Sequence, residues 1–382
     1  MVVAAVLDAG LMTTVQAGRE ERPAGRPGQD AGQAGTVPDG ASRPAPDDAP
    51  SVRDLRRGRH RDIWAMVGRR LLFIVPVTAA VSAGLFAAAK YSPFDPLVGY
   101  LGSRYMTTSD ADKAIISEQL GFDRPWYSTY WGWVQDLFGG DLGLSRSFNQ
   151  PVAQVIAERL PWTLLLAGAA LALAVVVALA LGIAAGVRSG GILDRGVTAL
   201  CVVVQGLPPF VMSLAAIAVF ALALGWLPAA GLTDGGADPT VGGVLRHLVL
   251  PVVVLAISQV PWLLLAVRES VVTSKGEDFV AGAVSRGIPT PTITRRHIVP
   301  TSLAPFVNIV GVRLPELVVG AVLVEEVFSW PGVAGAIVTS ARDLDMALLA
   351  FLTIGTTVVV MVGSLLADVV VALMDPRVST DG

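Results

Sequence analysis

Residues 278–300 read Asp-Phe-Val-Ala-Gly-Ala-Val-Ser-Arg-Gly-Ile-Pro-Thr-Pro-Thr-Ile-Thr-Arg-Arg-His-Ile-Val-Pro, a polar stretch between two apolar runs. Its punctuation is that of short helices. Ser274 with Glu277 three residues on reads as a capping box, and Gly287 stands where a helix stops. Thr290-Pro291 restarts one, with proline at the first helical position. A plain connector has no use for such punctuation, whereas a docking surface does. The flanking runs, residues 248–267 and 298–324, have about the length that crosses a bilayer, roughly 20 residues. Arg313 and Glu316 interrupt the second.

Working outward, residues 71–89, 160–187, 196–233 and 346–367 are similar uncharged or nearly uncharged runs, which makes six expected spans. The third could hold two, but a break at Gly225-Trp226-Leu227-Pro228 leaves too little apolar length for a second. Hydrophobic residues are 53% of the 382 and charged residues 15%, with mean hydropathy +0.62. A water-soluble chain carries nearer a quarter charged residues. The fold class is therefore an all-α integral membrane protein of six transmembrane helices.

The net charge of −3 matters less than where the charges lie. Seven Lys/Arg fall between Arg53 and Arg70, and five between Arg268 and Arg296. Residues 325–345 hold four acids and only Arg342. By the positive-inside rule both termini and the loop at 274–299 face the cytoplasm, and 91–159 faces outward. The chain is expected in a membrane that it crosses many times, with membrane lipid around it.

Residues 1–62 are rich in Gly, Pro, Ala, Arg and Asp without periodicity, and are read as a disordered cytoplasmic tail or a stretch ahead of the true start. Met1–Gly10 lacks a basic leader, so no cleaved signal peptide is expected. Residues 63–382 form the second unit. In the outward region, 110–120 and 126–137 read as short helices. Trp126, Tyr127, Tyr130, Trp131 and Trp133 suit either the lipid headgroup level or the packing of a small outer subdomain. Gly140 to Gly143 reads as a turn. Cys201 stands alone within the third span as a small packing residue, so neither a disulfide nor a cysteine metal site is expected.

Catalytic apparatus is missing from the sequence. None of the lysines, Lys90, Lys113 or Lys275, follows a glycine, which excludes a phosphate loop. His60, His247 and His297 belong to no zinc motif, and nothing points to a nucleic-acid partner. What remains are polar groups in apolar helices, which are functional candidates because burial in lipid is unfavourable. Arg313 and Glu316, three apart on one helix face, either pair structurally or line a pathway. Gln259, between Pro251 and Pro261, suits a kinked pathway helix. Asp368 lies near the end of the last span and is read as snorkelling or capping.

Several motifs in order carry a resemblance over residues 69–377. They are Arg70-Leu71-Leu72 with Pro93-Phe94-Asp95-Pro96, then Leu120-Gly121-Phe122-Asp123-Arg124-Pro125-Trp126. Gly140-Asp141-Leu142-Gly143 and Arg159-Leu160-Pro161 follow, and Glu326-Val327-Phe328-Ser329-Trp330-Pro331-Gly332 and Asp375-Pro376-Arg377 close the series. The chain resembles the permease subunits of bacterial ABC importers for dipeptides, oligopeptides and nickel. The family carries a cytoplasmic signature that, counted from Gly287, falls on Ala281-Gly282-Ala283 and on His297, Val299 and Pro300. Asp278-Phe279-Val280 ahead of it is similar to the peptide branch. Gly282, Val284 and Ser285 depart from that pattern, and Arg313 with Glu316 departs from a normally uncharged fifth span.

The resemblance implies a type I importer permease whose 274–299 loop is a coupling helix seated in an ATP-binding subunit. Asp278, Phe279, Ala283, Arg286, Gly287, His297 and Pro300 would make that contact. Ala283 would allow close approach and Gly287 the turn back to the membrane. It also implies a second similar permease and an extracytoplasmic binding protein. The chain itself would bind no cofactor, with ATP and magnesium on the partner subunit. The substrate stays open among dipeptide, longer peptide, nickel chelate and other small solutes. A stand-alone carrier would show internal repeats and paired mid-membrane acids; a membrane anchor would have no use for the patterned loop.

Overall fold

The computed structural model describes residues 52–374 except Phe94, Phe122 and Ala237; the expected tail over 1–51 and the closing Asp375-Pro376-Arg377 lie outside the described residues. Helix α1 runs Val52–Lys90, so the part of the expected tail from Val52 to Asp62 is helical instead. After Pro50 that segment holds leucine and arginine, good helix formers, and simply continues the first span. The outer region follows with α2, Pro96–Leu101, α3, Asp110–Leu120, and α4, Trp126–Phe138. Ser109 caps α3 by accepting from the Asp112 N–H, and Gly121 closes it at φ 71°. The aromatic cluster divides. Tyr130 and Trp133 pack on Phe86 of α1, with ring centroids 5.5 and 5.6 Å away, while Tyr127 and Trp131 are exposed.

A two-stranded hairpin, β1 Leu144–Ser145 and β2 Gln150–Pro151, pairs Leu144 with Pro151 and Ser145 with Gln150. It leads into α5, Val152–Val187, followed by α6, Ile192–Gln205, and α7, Pro209–Ala216, which runs on as a wider turn over Ile217–Ala223. Then come α8, Val241–Lys275, α9, Asp278–Ser285, α10, Thr290–Ile293, α11, Val299–Val327, α12, Val333–Arg342, and α13, Met346–Met374.

Among the described residues five helices are long and apolar enough to cross a membrane, and a sixth span exists if α6 and α7, bent by 101°, count as one. The expected count of six depends on that pair. The expected break at Gly225 is present, since the helical run ends at Ala223 and Gly225 has φ 63°, and a second, sharper break lies at Gly206-Leu207-Pro208. Two consecutive prolines, Pro208 and Pro209, stop the α6 ladder and start α7 with no N–H to continue it.

The core is a seam between α5 and α8. Ala170, Ala174, Ala178, Gly182 and Gly186 recur every fourth residue on α5 and are buried. Leu264 and Val267 of α8 lie against Gly182, and Val271 against Gly186, while the three alanines share one buried cluster with Leu255, Ala256 and Leu263. A methyl group on Gly186 would stand 2.7 Å from the Val271 Cβ, and one on Gly182 would stand 2.9 Å from the Leu264 carbonyl oxygen. Small residues are what let two backbones approach where lipid supplies no hydrophobic drive.

At one end of the bundle two distant motifs interlock. The Trp330 indole N–H donates to the Trp162 carbonyl at 3.0 Å, Arg159 Nη1 donates to the Gly332 carbonyl at 3.2 Å, and the Val333 N–H donates to Thr163 Oγ1 at 2.9 Å. Asp345, also buried, accepts from Ser145 Oγ at 2.6 Å and from the Ser147 N–H at 3.1 Å. Near the opposite end Asp368 pairs with Arg70.

Candidate functional site

The Glu277–Ile298 loop hangs from the Lys275 end of α8. The capping box read at Ser274 and Glu277 is absent. Helix α8 continues through Ser274, which is buried and bonded to Ser302 Oγ at 3.3 Å, and ends at Gly276. Glu277 instead precedes α9 without a side-chain cap. Gly287, at φ 74°, turns the chain after α9. Its N–H and that of Ile288 close on the carbonyls of Val284 and Ala283, as in the glycine-terminated helix end. Pro291 opens α10 as the sequence indicated.

Of the residues singled out in this loop, Asp278, Phe279, Arg286, Gly287, His297 and Pro300 are exposed and Ala283 is buried. Ala283 belongs to the chain's own core. It therefore offers no outward surface for close approach. Phe279 is 42% exposed and Val284 58% exposed, and Arg286, Arg295 and Arg296 of the same loop are exposed as well. The Phe279 and His297 rings lie 6.4 Å apart, which ties the first turn of α9 to the chain returning toward α11.

The root of the loop is held by contacts the sequence did not announce. Arg268 of α8 grips Asp194 of α6 with Nε–Oδ1 at 2.8 Å and Nη2–Oδ2 at 2.9 Å. Asp194 also accepts from the Gly190 N–H at 2.8 Å. Lys275 Nζ donates to the Val187 carbonyl at 2.9 Å and to Ser189 Oγ at 3.2 Å. A cation over the last carbonyls of α5 satisfies groups that the helix end leaves open. The only sequence signals were a Gly-Gly turn with an acid after it, and a basic residue in the last turn of a span.

The second site lies halfway along the spans. Gln259 and Trp262 of α8 and Glu316 of α11 line a cavity of about 340 Å³ that opens at the α6–α7 break, beside Gln205, Pro208 and Ser258. Arg313 pairs with Glu316 and lies with its guanidinium carbon 4.2 Å from the Trp262 ring centroid. Gln259 and Glu316 thus share one cavity, with Arg313 behind them. The broken helix beside them was not foreseen. Gln259 is 3% exposed; its Nε2 donates to Ser258 Oγ at 3.1 Å, while its Oε1 is buried without a partner.

The family model described as binding-protein-dependent transport system inner membrane component matches residues 178–380. That match takes in α6 to α13, the loop and the cavity. The chain belongs to this family. Relatives extend the likeness over most of the permease. A Brucella suis protein provisionally named a peptide permease is 31% identical over 312 residues, 81% of this chain and 97% of the relative. The oligopeptide transport system permease protein AppB of Bacillus subtilis is 29% identical over 315 residues, 82% and 99% of the two chains. The "Probable D,D-dipeptide transport system permease protein DdpB" of Escherichia coli is 31% identical over 339 residues, 84% and 98%. The chain is thus a multi-pass membrane permease, the transport component of an ABC importer.

Proposed function

We propose that this permease, with a second similar permease, lines the path by which an ABC importer carries peptides or a related small solute into a bacterium. Two ATP-binding subunits would sit under the Glu277–Ile298 loop, on the cytoplasmic side with both termini. An extracytoplasmic protein would deliver the ligand to the opposite end. The observation that supports this best is the loop itself. A chain with no phosphate loop of its own carries two short helices at the root of two long spans, with Phe279 and Val284 exposed in a loop that also exposes Arg286, Arg295 and Arg296. The names of the relatives favour peptide as the cargo.

ATP and magnesium would be held by the partner subunits, and hydrolysis would occur there. Closure of those subunits would move the loops, and with them the spans, between inward- and outward-open states. Such a transition is a population shift in which ATP supplies the bias. Affinity capture of the tagged protein from its native membrane tests the reading, with Val284→Asp as the variant. Recovery of an ATP-binding subunit and a second permease is expected for the parent protein, with loss of the ATP-binding subunit alone in the variant. A chain that purifies by itself in both forms would support a carrier or an anchor instead.

A further inference from the structure

We propose that Glu316, Trp262, Gln259 and Ser258 form a cation-binding site midway through the membrane, and that Arg313 engages its Glu316 and Trp262 as a tethered competitor until a cationic group of the solute displaces it. The proposal rests on the import reading for its traffic, but not for its chemistry.

The cavity is weighted toward acceptors. Ser258 Oγ gives its proton to the Leu255 carbonyl at 2.7 Å and takes one from Gln259 Nε2. Between them these two side chains keep oxygen lone pairs and the second N–H of the Gln259 amide, and Gln259 Oε1 has no partner at all. Pro208 and Pro209, at the break beside it, have no N–H to donate. The last turn of α6, Val204 and Gln205, and the first residue of α7, Pro209, both reach the cavity, so the partial charges of the two helix ends offset each other there. Glu316 supplies a full negative charge from a side chain 50% exposed. Trp262 adds an aromatic face, the best of the three rings for cation–π contact.

A guanidinium already occupies that combination. Arg313 sits on the Trp262 face and pairs with Glu316, yet only Nη1 has a partner. Its Nε and Nη2 are buried without one. A charged group that has lost water on two of its nitrogens and gained nothing for them is weakly held. An incoming ammonium or guanidinium could reach Glu316 together with Gln259 Oε1 and Ser258 Oγ, acceptors that Arg313 does not use. Its chemical class is therefore a primary ammonium or guanidinium on a slender stem, such as a free amino terminus or a lysine or arginine side chain. Arg313 neutralises Glu316 when no solute is present, so the site stays closed to small inorganic cations.

Two measurements on the full-length protein decide it. In detergent, millimolar n-propylguanidinium should raise the melting temperature of Arg313→Ala, because the free cation replaces the tethered one. It should do so neither in the parent protein nor in Arg313→Ala/Glu316→Gln. Arg313→Met, which keeps the stem packed on α8, gives the same comparison if the alanine variant does not fold. An equal rise in the double variant, or none in any, overturns the site. In the assembled transporter, N-acetyl-Gly-Lys-Gly is compared with N-acetyl-Gly-norleucine-Gly, so that the lysine carries the only amine. Glu316→Gln should lower the uptake ratio of lysine to norleucine peptide about tenfold, the effect of one lost charged hydrogen bond. An unchanged ratio overturns the site while leaving peptide import standing. Guanidinium rescue with neither peptide transported overturns the peptide reading and leaves the site standing.

Discussion

Arg268 and Arg313 each pair with a carboxylate, yet Arg268 has partners for Nε, Nη1 and Nη2, and Arg313 for Nη1 alone. The first pair is bidentate, in the fork geometry that makes arginine–carboxylate contacts specific. Asp194 in it also takes a backbone N–H. It joins α6 to α8 at the root of the loop and has nothing left to offer a ligand. The second pair lies along one helix, is engaged through one nitrogen, and faces a cavity that holds a further unpartnered oxygen. Charge in a membrane helix does not by itself mark function. Unused bonding capacity does.

Removing Asp194 should have the largest effect. Asp194→Ala strands Arg268 and frees the Gly190 N–H. Losing one partner of such a pair leaves the other charge without its bidentate contact, so a clear loss of stability is expected in denaturant unfolding of the purified protein. A loss under about 1 kcal/mol would put this pair in the class of surface ion pairs and erase the contrast. Replacing both members of the other pair, Arg313→Met with Glu316→Leu, should leave stability unchanged or raise it by about 1–4 kcal/mol. If the double variant unfolds more easily by a similar amount, Arg313 and Glu316 are structural after all.

The loop gives a third contrast, between an inward and an outward residue of one short helix. Ala283→Asp forces an unpaired charge into the core and should lower stability by about 1–3 kcal/mol or more. Val284→Asp should change it by less than about 0.5 kcal/mol while releasing the ATP-binding subunit on affinity capture. Equal stability losses would mean that both side chains are packed. The smallest effect is expected for Lys275→Met, which uncovers the last carbonyls of α5 and should cost about 0.3–1 kcal/mol, read as a small drop in melting temperature.

The legible features were those carried by near neighbours in sequence. Arg313 and Glu316 could be paired by eye because three residues separate them on a helix. Helix Asp110–Leu120 could be bounded because Ser109 and Gly121 punctuate it locally. Asp194 and Arg268 are 74 residues apart, and no local pattern links them. Ser274 misled because its capping partner competes with tertiary packing. It sits against Ser302 from across the loop, and that contact keeps α8 helical past the point where a box would start a new helix. Ala283 misled for a related reason, since an eight-residue helix sets no phase until both of its flanks are placed. The motif pairs at the other end, Arg159-Leu160-Pro161 and Trp330-Pro331-Gly332, could be recognised as a likeness. That they touch each other could be learned only from the fold.

Pro261 stands between Gln259 and Trp262. Lacking an N–H, it leaves one rung of the α8 ladder unmade, a place where helices bend. Below it, Leu264, Val267 and Val271 are pressed into the glycines of α5, and Lys275 is bonded to the end of the same helix, so that segment and α5 form one stiff piece. From Trp262 to Lys275 is about 20 Å at the helical rise. A lateral shift of about 2 Å at the loop is then a rotation of about 6° at the proline, by the same length. The cavity has one wall on each side of that pivot, with Gln259 above and Trp262 below. A bend at Pro261 would therefore set its aperture as an angle, with the loop at the far end of the protractor.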